Sequence, residues 1–118
     1  MDKLLGLKKY GAKIEESIAT VFEGQVDDYY NSVLFYANDD QIDLIEKYIE
    51  EEDYALMIDC VRSIMHLAYD LGLYEIYIKL TEMDYDLKVK EYKDLKTKYQ
   101  DVVAEFQKFK AALGIKGA

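Results

Sequence analysis

Proline is absent from these 118 residues, and glycine occurs only six times. Proline removes a backbone donor and clashes with the preceding turn, so its absence favours long uninterrupted helices over a turn-rich chain of short strands. A single cysteine, Cys60, excludes an internal disulfide framework and suits a reducing, cytoplasmic setting. With one histidine and one cysteine, a metal would find only carboxylates. No metal site, no cofactor and no Ser-His-Asp or Cys-His arrangement is therefore expected. No uncharged apolar run approaches the about 20 residues that a membrane-crossing helix needs, and the opening MDKLLGLKKYGAK has no apolar stretch of the signal-peptide kind. The expectation is a protein neither secreted nor membrane-spanning. Positive charge is also scarce, 15 lysines and arginines against 24 acids, and a net charge of −9 disfavours nucleic acid as a partner.

What is present begins with an uneven charge distribution. Residues 14–53 carry thirteen acids against Lys47, whereas residues 86–118 carry eight lysines against five acids. The lysines from Lys88 to Lys98 alternate with Glu91 and Asp94, the pattern of a solvated helix face. The run Glu50 to Asp53 is read as a solvated helix end, with a weak cation surface as the lesser alternative. Twelve tyrosines and no tryptophan are unusual. A tyrosine buries a ring while keeping its hydroxyl wet, so it serves equally at the rim of a small core and on a docking surface.

Apolar residues recur at helical spacing almost throughout. Ile14, Ile18, Val21 and Phe22 mark a first helix that Gly24 ends. Val26 to Ala37 mark a second, after which Asn38, Asp39 and Asp40 can cap a third on Ile42, Ile45 and Ile49. Met57, Val61, Ile64, Ala68 and Leu71 form the inward stripe of a fourth, with Cys60 buried beside them and Gly72 as its terminator. Leu73, Ile76, Tyr77 and Leu80 line a fifth. Tyr92, Leu95, Tyr99, Val102, Phe106, Phe109 and Leu113 follow a strict 3-4 spacing, a core seam packed against antiparallel neighbours. The chain is too short for two cores, so residues 1–118 are read as a single all-α domain. Its expected architecture is an antiparallel four-helix bundle with one or two short N-terminal helices.

The stretch from Asp53 to Gly72, DYALMIDCVRSIMHLAYDLG, resembles the signature helix of histidine-containing phosphotransfer (HPt) domains. In that family the helix opens after an acidic-aromatic pair, runs through Ala-His-x-Leu-Lys-Gly and ends at Leu-Gly. Here Asp53-Tyr54 opens it and Leu71-Gly72 closes it, nine residues before and ten residues after Arg62. The resemblance places the phosphoacceptor position on Arg62, the leucine on Ile64, the lysine on Met65 and the glycine on His66. It extends to Tyr10-Gly11 before an Ile-Glu-Glu helix, to Phe22-x-Gly24 and to the long closing helix. A guanidinium stays protonated and offers no lone pair, so the resemblance implies a degenerate member, a pseudo-HPt module that is not an enzyme.

Helical spacing puts Ile58, Arg62, Met65, His66 and Tyr69 on one outward face, with the arginine, aromatic and methionine content that interfaces favour. In HPt domains that face docks on response-regulator receiver domains. The resemblance thus implies a non-catalytic adaptor or competitor in two-component phosphorelay signalling, bound to a receiver domain or a histidine kinase. The alternative is a structural or homo-oligomeric helical module outside phosphorelay, in which the same residues cover this chain or a second copy. A third reading relocates the phosphoacceptor to His66, one helical turn from Arg62.

Overall fold

The computed structural model describes residues 4–115, and every regular element among them is an α-helix. In chain order they are α1 (Leu5–Tyr10), α2 (Ile14–Thr20), α3 (Val26–Ala37), α4 (Gln41–Glu51), α5 (Tyr54–Asp70), α6 (Tyr74–Lys88) and α7 (Leu95–Ala112). The all-α expectation holds for the described residues, but three helices, α1 to α3, precede α4 where one or two were expected, because residues 5–10 form a helix too short for periodicity to mark. None of these helices is long and apolar enough to cross a membrane.

The helix starts follow from local chemistry. The Oδ1 of Asp39 accepts the backbone N–H of Gln41 at 2.9 Å, so the acidic cluster before α4 does supply an acceptor at its start. Asp53 accepts the N–H of Leu56 at 3.2 Å and caps α5. An N–H without a helical partner gains such an acceptor at a typical benefit of about 1 kcal/mol. The α5 end depends on Gly72 at φ 75°, where an added Cβ would lie 2.6 Å from the carbonyl oxygen of Lys13. The same turn accepts the N–H of Lys13 on the carbonyl of Gly72, at 3.0 Å, and so joins the start of α2 to the α5–α6 junction.

Two boundaries differ from the periodicity. The first apolar stripe continues to Phe22, but α2 stops at Thr20, and the chain turns through Glu23 (φ 51°) and Gly24 (φ 85°). Gly24 still closes the segment by donating to the carbonyl of Ile18 at 2.8 Å. The 3-4 seam starts on Tyr92, yet α7 begins only at Leu95. Tyr92 instead stacks on Tyr54, with ring centroids 3.7 Å apart and planes 8° from parallel. The basic run from Lys88 to Lys98 is consequently not one helix face. It is divided among the end of α6, a turn with Lys90 at φ 61° and the first turns of α7.

Helix α5 packs between α4 and α6, α6 packs on α7, and α7 returns to α4. Helices α1 and α3 lie against α7, and α2 lies against α3. Every residue of the α5 stripe, Met57, Val61, Ile64, Ala68 and Leu71, is buried, as are Leu95, Tyr99, Val102, Phe106 and Phe109 of the α7 seam. Cys60 is buried as expected, and its thiol donates to the carbonyl of Gln41 at 3.1 Å. Two tyrosines of α3 answer the question that composition left open. Tyr29 and Tyr36 are buried core residues whose hydroxyls donate to the carbonyls of Leu71 (2.8 Å) and Ile64 (2.9 Å) on α5. The Tyr36 ring also meets Phe106 and Phe109 edge-on at 5.6 and 5.9 Å, joining α3 to α7. Beside that cluster Tyr10 donates to the buried Glu105 at 2.5 Å, fastening the end of α1 to α7.

Candidate partner-binding face

The outward side of α5 follows from the inward one. With the apolar stripe fixed against α4 and α6, residues offset from it along the 3.6-residue repeat must face away. Arg62, His66 and Tyr69 are all exposed, and they succeed one another along the helix. Tyr69 keeps about half of its surface, at 53 %, and its ring lies 5.6 Å from Tyr74 and 5.2 Å from Tyr77.

The other two predicted members of the face are placed differently. Met65 is buried, a correction to the outward patch, and its sulfur accepts from the Thr81 hydroxyl at 3.6 Å. The reason is geometric: Met65 lies about 60° around the helix from Arg62, and α6 approaches on that side closely enough to cover it. Ile58 is half-buried and packs against the core. The methionine and isoleucine thus support the face from beneath.

Helix α6 supplies the far side. Nε of Arg62 donates to Oδ1 of Asp84 at 2.8 Å, with the arginine side chain 44 % exposed and the aspartate 13 %. The arginine side of this pair is open to water, where ion pairs are weak, so the guanidinium can reach another carboxylate by leaving Asp84. Tyr77, Thr81 and Asp84 recur on α6 at a spacing of four and then three and stand opposite Tyr69, Met65 and Arg62. Helical periodicity places Tyr77 on the inward stripe, and Tyr77 does pack half-buried against the core while its ring also reaches Tyr69, so its share in this face is set by tertiary packing. The recurrence of 77, 81 and 84 was visible, but nothing in one helix says which neighbour it will meet.

The chemistry open to the face is that of recognition. Arg62 offers donors and a fixed charge, His66 an exposed imidazole, and the three tyrosines broad rings with polar tips. The Cys60 thiol faces Gln41 of α4, and burial followed by Asp39 and Asp40 pushes it up to about 11, which disfavours the thiolate. Glu50, Glu51 and Glu52 are exposed at the end of α4, while Asp53 is engaged as the α5 cap. No group of three or more metal-ligating side chains converges among the described residues. Comparison with protein-family models, curated proteins and solved structures returns no significant match.

Proposed function

We propose that this chain is a non-catalytic, HPt-like adaptor or competitor of cytoplasmic two-component signalling. Helices α4 to α7 would form its antiparallel four-helix bundle, and the α5/α6 face would dock on a receiver domain or histidine kinase. The observation carrying the proposal is the exposed Arg62-His66-Tyr69 strip, with Arg62 at the position that the family resemblance gives to the phosphoacceptor and, among the described residues, paired with Asp84. The short connections between successive helices support antiparallel neighbours. On docking, the guanidinium would turn from Asp84 to a carboxylate of the receiver's acidic pocket, where a bidentate pair is stronger than the water-exposed one. The lone buried thiol fits the reducing compartment that this reading requires.

The experiment is a titration of the isotope-labelled chain with receiver domains and kinase domains from the same genome, followed by amide resonances. Shifts concentrated on Arg62, His66, Tyr69, Tyr77 and Asp84 are expected. Binding that leaves these residues unperturbed would remove the proposal.

A second reading, a homo-oligomeric helical module outside phosphorelay, draws on a separate observation. Ile78 and Tyr85, seven residues apart on α6, are 48 % and 62 % exposed. Sedimentation over a range of concentrations distinguishes the two, because only the second predicts a dimer that Tyr85→Ser dissolves.

A further inference from the structure

On the opposite flank of α5, α3 and the turn after α2 enclose a cleft of about 210 Å³ lined by Val21, Phe35 and Leu67 together with Asp70. These three apolar side chains are 44 %, 74 % and 38 % exposed. Phe35 therefore keeps about three quarters of its surface in water, forgoing much of the burial that ordinarily places an aromatic ring inside. It also borders a second, open depression formed by Asn38, Asp39, Asp40 and Gln41. An apolar notch thus passes, across one phenylalanine, into a pair of carboxylates. The whole segment around it, residues 14–53, holds thirteen acids and one lysine.

Size and charge together select the occupant. Small-molecule sites usually enclose about 300–1,000 Å³, so this cleft suits one or two protein side chains better than a metabolite. An acidic rim beside an apolar notch attracts a basic segment and repels an acidic one. A second copy of this chain carries −9 overall, and even its lysine-rich residues 86–118 interleave eight lysines with five acids, so it matches the rim less well than a segment basic along one face. We propose that this cleft docks an amphipathic helix of another protein, with one large apolar side chain entering between Phe35 and Leu67 and a lysine or arginine reaching Asp39 and Asp40. Helix-in-groove recognition of this kind is carried by anchors spaced i, i+4 and i+7. The surface is separate from the α5/α6 face, and the inference does not depend on a role in phosphorelay.

The test uses the full chain, isotope-labelled, and a panel of helical peptides of about 15 residues. Each carries leucine or phenylalanine at i, i+4 and i+7 and lysine elsewhere, and a matched panel carries glutamate for lysine. The lysine panel is expected to shift the amide resonances of Val21, Phe35, Leu67 and Asp70. Phe35→Ser should weaken that binding by about tenfold or more, the size of effect expected when an anchoring contact is lost. Asp39→Asn with Asp40→Asn should weaken it by about threefold and flatten its salt dependence; asparagine keeps an acceptor for the N–H of Gln41, so α4 retains its start. Val89→Ser, at an exposed apolar residue outside the cleft, should leave affinity unchanged. The proposal is overturned if no lysine peptide binds at these residues, if the glutamate panel binds equally, or if Phe35→Ser behaves as wild type. It is also overturned if the chain dimerises through this cleft, seen as self-association that Phe35→Ser abolishes.

Discussion

Burial on α1, α3 and α7 gives four tyrosines a measurable signature. Burial pushes the phenols of Tyr29 and Tyr36 well above the ordinary value of 10.0, and burial followed by the bond to Glu105 does the same for Tyr10. Tyr99 is pushed up to about 12 by burial and by the nearby Glu46 and Asp43. A phenol raised in the folded state favours folding while both states are protonated, below pH about 10, and that contribution is lost as pH rises from there toward the folded values. The expected outcome is a urea midpoint that falls steeply above pH about 10, with tyrosinate absorbance appearing as the chain unfolds. Tyr36→Phe should make that fall shallower and, at neutral pH, cost about 0.5–1.5 kcal/mol for the lost bond to Ile64. All twelve tyrosines ionising together near their ordinary value in a folded chain would contradict this. The sequence could not separate core tyrosines from surface ones, because the side chain suits both and the carbonyl that receives its hydroxyl lies on another helix. A second residue-scale prediction concerns Arg62 and His66. Incubation with an active histidine kinase or a phosphorylated receiver should leave no acid-labile phosphate on the chain, since a guanidinium cannot accept it. Labelling that disappears in His66→Ala would instead establish the relocated phosphoacceptor.

At the scale of the element, the 3-4 spacing of α7 was legible because every inward position of an amphipathic helix must be apolar, whatever it packs against. Phe106 is the test of that seam: it is 5 % exposed and touches the rings of Tyr36 and Phe109. Phe106→Ala should destabilise the chain by about 3–5 kcal/mol, measured by denaturant unfolding. A loss below about 1 kcal/mol, the size seen at surface positions, would show the seam to be misread. Boundaries were less legible because turns are set by contacts outside the element. Tyr92 fits the seam by spacing, yet its ring is taken by Tyr54. Gly72 and Gly24 separate conformation from contact: both have positive φ, but only at Gly72 would a Cβ meet other atoms, whereas nothing lies within 4 Å at Gly24. Gly24→Ala should cost the left-handed penalty of about 1–2 kcal/mol. Gly72→Ala should cost visibly more by the same assay, and equal losses would contradict the close approach of α2 to that turn.

Across the whole molecule, the arrangement of helices turns separate stripes into a surface. Arg62, His66 and Tyr69 were readable as outward residues from the inward stripe of α5 alone. Met65 was not readable as covered, nor Tyr77, Thr81 and Asp84 as the neighbours of Tyr69, Met65 and Arg62, since both depend on how closely α6 approaches. The proposed docking therefore joins one half that periodicity places and one half that tertiary packing supplies. Its most direct test is a titration of candidate receiver and kinase domains with the wild type, Arg62→Glu and Lys96→Glu, at low and physiological salt. Both residues are exposed, but Arg62→Glu also sets a second carboxylate against Asp84, so Arg62→Gln is titrated beside it to separate loss of the charge from that repulsion. If Arg62 meets a carboxylate of the partner, Arg62→Glu should cost about 2–5 kcal/mol of binding, while Lys96→Glu on α7 should cost less than about 1 kcal/mol and only at low salt. Equal losses in the two variants, or a wild-type chain that binds no receiver and no kinase, would contradict the account.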